Sequence, residues 1–126
     1  MMQKPPSGEV REQIASRIVQ LQSEYYGRGP TRAKTYMLDD LVVVVLEETF
    51  TRAERTLVGR GETGAIQQIR RRFQQQMADE FKAIVEQATG RTVRAFMSET
   101  NLEADVAVEI FLLGEARTDM GEFEPS

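Results

Sequence analysis

The 126-residue chain contains no cysteine, no histidine and no tryptophan. Without cysteine there are neither disulfides nor thiolate chemistry, and composition carries no mark of a redox compartment. Without histidine the chain lacks the commonest general base and the commonest transition-metal ligand. Ser98 and Thr100 are nucleophiles in principle, but no imidazole can activate them and no nucleophile-elbow pattern surrounds either. An enzyme is not expected. Asp39, Asp40, Glu47, Glu48, Glu99 and Asp105 supply oxygens without calcium-loop spacing, and neither the phosphate-loop nor the dinucleotide glycine fingerprint occurs. No cofactor or metal is expected.

Long hydrophobic runs are missing as well. The longest is Leu41 to Leu46, six residues against the roughly 20 that span a bilayer, and "MMQKPPSGEV" lacks the apolar core of a signal peptide. The expectation is a cytoplasmic protein without direct membrane insertion, so that any membrane role runs through a partner. Positive charge is in the minority, with 16 Lys and Arg against 20 Asp and Glu, a net charge of −4. Such a surface does not attract a polyanion. Arg70 to Arg72 concentrate charge locally, but consecutive helical residues fan about 100° apart and make a solvated face rather than one basic blade. No nucleic-acid partner is expected.

What is present reads as one α+β domain over residues 8–113, with a flexible lead at 1–7 and an acidic, disordered tail at 114–126. Ser7 can cap a helix in which Val10, Ile14, Ile18, Leu21 and Tyr25 form one stripe that stops at Gly27. Arg32 to Leu38 and the valine run read as a hairpin turning at Asp39-Asp40. "TRAE", Thr51 to Glu54, has the spacing of a capping box and opens a short helix. A long helix follows, with Ile66, Ile69, Phe73, Met77, Phe81, Ile84, Val85 and Ala88 on one side, and Gly90 ends it. Two alternating segments, Thr92–Ser98 and Val106–Leu113, form a second hairpin. The expected architecture has two layers, a four-stranded, mostly antiparallel sheet with helices on one face, in the order α-ββ-α-α-ββ.

The valine run carries the functional expectation. Val42 to Val45 are β-branched and suit a strand, where alternate side chains point to opposite faces. An unbroken apolar strand therefore has an oily second face after the helices cover the first. Leu41, Val43 and Val45 are the expected interface, for a homodimer or for a membrane transport protein. The competing expectation is a small-anion or metabolite-binding regulator using Arg28, Gly29 and Arg60 in the glycine-rich loops. "GRGP" follows a helix C-terminus, whose dipole is negative, so helix termination accounts for it better than anion binding.

"YYGRGPTRAKTYMLDDLVVVVLEETFTRAE", Tyr25 to Glu54, resembles the MpsC-like family, named for a component of a bacterial sodium-translocating, membrane-potential-generating system. The shared pattern runs through Gly27-x-Gly29-Pro30, the hydrophobic hairpin, Thr51 and Glu54, and an amphipathic helix closing at Thr89-Gly90, and covers residues 8–113. The resemblance implies a soluble bacterial cytoplasmic module without catalytic residues. In some lineages it is associated with membrane machinery for sodium or inorganic carbon.

Overall fold

A computed structural model describes residues 7–116. Its elements are α1 (Ser7–Tyr26), β1 (Arg32–Leu38), β2 (Leu41–Glu47), α2 (Arg52–Gly59), α3 (Thr63–Thr89), β3 (Arg91–Asn101) and β4 (Val106–Ala116). This is the expected α+β order. The four strands form one antiparallel sheet in the order β1-β2-β4-β3, so the two hairpins meet along β2 and β4. Strand β4 runs through Gly114 to Ala116, past the boundary expected at Leu113, because Ala116 still pairs with Arg91. The remaining tail, like most of the N-terminal lead, lies outside the described residues.

Local chemistry sets the element ends. Gly27 and Gly90 take φ of 83° and 74°, left-handed values that let the chain leave α1 and α3 without a Cβ clash. Asp39 takes φ of 53° in the tight β1–β2 turn, which a short polar side chain tolerates. The capping box is complete. Glu54 N donates to Thr51 Oγ1 at 3.2 Å, and Thr51 N donates to Glu54 Oε1 at 2.9 Å.

Helices α1 and α3 pack side by side on one face of the sheet, while α2 packs on α3. Val42, Val44 and Leu46 point into this layer and are fully buried with Ile14, Ile18, Met77, Phe81, Val85 and Phe111. The α3 stripe departs from the expected one at a single turn: Ile69 is 45% exposed, and Arg70 takes the inward position at 3%. The helical period permits either, since Arg70 lies four residues after Ile66 and three before Phe73. What decides is the partner waiting inside.

Arg70 Nε donates to Glu54 Oε2 at 2.8 Å and Nη2 donates to Oε1 at 2.6 Å, a two-pronged pair, while Nη2 also donates to the Thr49 carbonyl at 3.0 Å. Its guanidinium stacks 4.1 Å from the Tyr26 ring centre and 5.3 Å from that of Phe50. The end of α1, the β2–α2 link with its Phe50 ring, α2 and α3 thus meet at one side chain. Burial pushes the Glu54 carboxyl up, but hydrogen bonds from Arg70 and Thr51 outweigh it and hold the carboxyl below its ordinary range. Asp105 braces the same link from the β3–β4 turn, accepting from Thr49 N at 2.8 Å and Phe50 N at 3.3 Å.

Removing one member of such a pair leaves the other charge buried and uncompensated. Arg70→Ala is expected to lower the unfolding free energy by about 3–5 kcal/mol, read as a fall in urea midpoint at constant slope. Joint replacement with Arg70→Met and Glu54→Leu is expected to cost less than either single change. A double variant as unstable as the sum of the singles contradicts the pairing.

Candidate functional site

The face of the sheet turned away from the helices is apolar. Along β2 it presents Leu41, Val43 and Val45, the three expected interface residues, all half-buried by their ladder neighbours. The structure sets them beside a second line on β4. Val43 pairs with Ile110, Val45 with Val108 and Leu41 with Leu112. The edge strands complete the surface with Leu38, Tyr36 and Met97, which are 69%, 49% and 48% exposed. These flanking residues were not legible as part of this surface before the register was known. The alternation in β4 was visible, but which of its two sets faces the helices follows from pairing.

An antiparallel sheet with one wet face normally alternates apolar with polar residues. Here β2 and β4 are apolar on both faces along most of their length, with polar residues at the ends and margins of the open face. Arg32 and Lys34 lie on β1, Glu99 and Asn101 on β3, all exposed. The Lys34 ammonium sits 5.0 Å from the Tyr36 ring centre, on the same face.

The residues of the competing loop site have structural work. An added Cβ at Gly29 would lie 3.0 Å from Val19 Cγ1 and 3.1 Å from the Val19 carbonyl, so glycine there allows the loop to close on α1. Arg28 Nη1 donates to the Phe50 carbonyl, fastening that loop to the β2–α2 link. Arg60 is exposed at the C-terminal end of α2, where its N–H reaches the carbonyls of Thr56 and Leu57.

A second polar feature lies beneath the helices and was not singled out by pattern. Thr35, Val44, Glu109 and Ser98 form one row across the helix-facing side of the sheet. Glu109 is 1% exposed, and Glu109 Oε1, Ser98 Oγ, Thr35 Oγ1 and Gln22 Oε1 are buried without a hydrogen-bond partner in the protein. Ser98 Oγ stands close to the carboxyl without completing a hydrogen bond. Burial raises the Glu109 carboxyl to about 7, with Ser98 and the Arg70 charge holding the rise back. Burial likewise raises the Tyr26 hydroxyl to about 12 against the pull of Arg70. The sequence showed Glu109 as the one acidic residue in the alternating run Val106–Leu113, and pairing with Val44 is what turns it inward.

The folded-state value of Glu109 lies above its ordinary 4.5, so the folded chain binds this proton more tightly than the unfolded chain. That contribution is fully present below the unfolded value and is lost as pH rises through about 7. Glu109→Gln keeps the size and removes the titration. It is expected to be more stable than the parent at alkaline pH by about 2–3 kcal/mol and to flatten the stability profile between the two values. Denaturation at a series of pH values checks this; an unchanged slope in the variant assigns the titration elsewhere.

No described helix is long and apolar enough to cross a membrane, and no group of three or more His, Cys, Asp or Glu among the described residues is placed to hold a metal ion. No solved structure matches the chain. It is similar to the uncharacterized protein YbcI of Bacillus subtilis (strain 168), with 29% identity over 111 residues, 87% of this chain and 90% of that one. Residues 6–115 match the family described as the Na+-translocating membrane potential-generating system (MpsC), a span that takes in all seven elements but for the last residue of β4. The chain belongs to the MpsC family.

Proposed function

We propose that this chain is a non-enzymatic interaction module and that the open face of its sheet is the docking surface. The observation that carries the reading is the exposure of Leu38, Tyr36 and Met97 around a half-buried field of Leu41, Val43, Val45 and the β4 line. Contiguous apolar surface of this kind stays in water at a cost of about 25 cal/mol per Å² relative to burial. On soluble proteins it marks contacts.

The proposed setting is an accessory role beside a bacterial sodium-translocating or inorganic-carbon transport system. The family's description supports it, since it names a sodium-translocating system. In this reading the contact is made through protein, by the sheet face, and transport chemistry belongs to other subunits.

A photoactivatable residue at Tyr36 or Met97, introduced into the full chain in its native cell, tests the proposal. Adducts to a second copy or to a subunit of a membrane transport system are expected from both positions, and none from exposed Gln75 on α3. Equal labelling from Gln75, or adducts only with soluble proteins unrelated to transport, overturns the reading.

A further inference from the structure

We infer that a second copy of this chain covers the open face, in a symmetric two-sheet sandwich that stacks β1 of one protomer on β3 of the other. The inference rests on the docking-surface reading and names its occupant. Its basis is a complementarity between the two edge strands that neither strand shows alone.

The ladder arranges the open face in four rows. Lys34 pairs with Val45, Val45 with Val108, and Val108 with Glu99, so Lys34 and Glu99 lie at the same level on opposite edges. By the same pairings Tyr36 shares a row with Met97, Leu38 with Ala95, and Arg32 with Asn101. Within one protomer the members of each row are three strand spacings apart, about 14 Å. They do not touch.

A two-fold axis between the sheets, parallel to the strands and above the β2–β4 boundary, exchanges left for right and preserves level. It lays β1 over the partner's β3 and β2 over the partner's β4. Lys34 then faces Glu99 of the second copy, twice over. The exposed Leu38 faces the small Ala95, and Tyr36 faces Met97, whose thioether suits an aromatic ring. In the centre Val43 meets Ile110. Sheets that pack face to face stand about 10 Å apart with strands within about 30° of alignment, a gap and a corner divergence that lysine and glutamate side chains can span between them.

The other simple two-fold, perpendicular to the strands, is disfavoured by the same rows. It stacks β1 on β1 and β3 on β3, bringing Lys34 over Tyr36 and Glu99 over Met97. A tyrosine ring partly compensates the lysine, but Glu99 presses on Met97 without a countercharge, and neither charge gains the opposite one that the parallel axis supplies. Charge and size complementarity together select the parallel axis.

Charge exchange tests the arrangement in the full chain. Lys34→Glu places a carboxylate opposite Glu99 at both contacts, and Glu99→Lys places an ammonium opposite Lys34 at both. The two positions are exposed, so circular dichroism is expected to show folded protein. By sedimentation equilibrium the parent is expected to dimerise, and each single variant to self-associate more weakly by roughly 10-fold or more. In an equimolar mixture of the two singles the heterodimer has an opposite-charge pair at both contacts, whereas each homodimer sets like charges against each other twice, so the heterodimer is expected in preference to either homodimer. The double exchange is expected to recover self-association.

A parent that stays monomeric across micromolar concentrations, singles that associate like the parent, or a double exchange that fails to associate each overturns the symmetric sandwich. The wider reading is separable from it. Adducts from Tyr36 and Met97 to a transport subunit on a monomeric chain would leave the docking surface standing with a different occupant. A monomer without such adducts removes both.

Discussion

Two helical layers cannot be built from a chain whose helices all lie on one side of its sheet. With α1 and α3 side by side over one face, Val42, Val44 and Leu46 are enclosed, while their alternates Leu41, Val43 and Val45 turn away by the geometry of the strand. The pairing of β2 with β4 doubles the effect, because β4 has an apolar open side too. The central two strands thus make a surface more suited to an interior than to water. The description of the MpsC family lends that surface its proposed setting, and the edge strands place Lys34 of β1 and Glu99 of β3 at one level on opposite sides of it.

The helix-facing layer is held in place by a different principle. Glu54 completes the cap of α2 and at the same time receives both prongs of Arg70 from α3. A local signal and a tertiary one therefore share one carboxylate. The stacking of Arg70 on Tyr26 extends this to the end of α1, and Asp105 extends it to the far hairpin. The hub orients the short α2 and the link from β2, elements with little apolar surface of their own to dock them. Next to it, Glu109 remains a buried acid without such a partner, which is why its proton affinity rises where that of Glu54 falls.

Much of this was legible from residue order. The element sequence, the glycine stops at Gly27 and Gly90, the Thr51–Glu54 cap and the inward valines all follow from local periodicity and backbone preference. The placing of Leu41, Val43 and Val45 together on a second apolar side of β2 was legible for the same reason, since an unbroken apolar strand has such a side wherever it lies. The inward turn of Arg70 in place of Ile69 was not, because both fit the helical period and only the distant Glu54 and Tyr26 discriminate. Gly29 illustrates the same limit: its sequence context resembles a loop ligand site, and only the close approach to Val19 shows that a side chain there would crowd α1.

Residue order by itself determined the elements, the helix stops at Gly27 and Gly90, the Thr51 cap and the existence of a two-sided apolar strand, since helix period, strand alternation and capping act over a few neighbouring residues. Tertiary structure alone decided which strands are neighbours, and with that which residues share a row. Lys34 and Glu99 are far apart in the chain and stand level only because β2 and β4 lie between them in register. Pairing across strands is a non-local choice, made by the summed burial of both hairpins against one pair of helices, and no short window of sequence contains it.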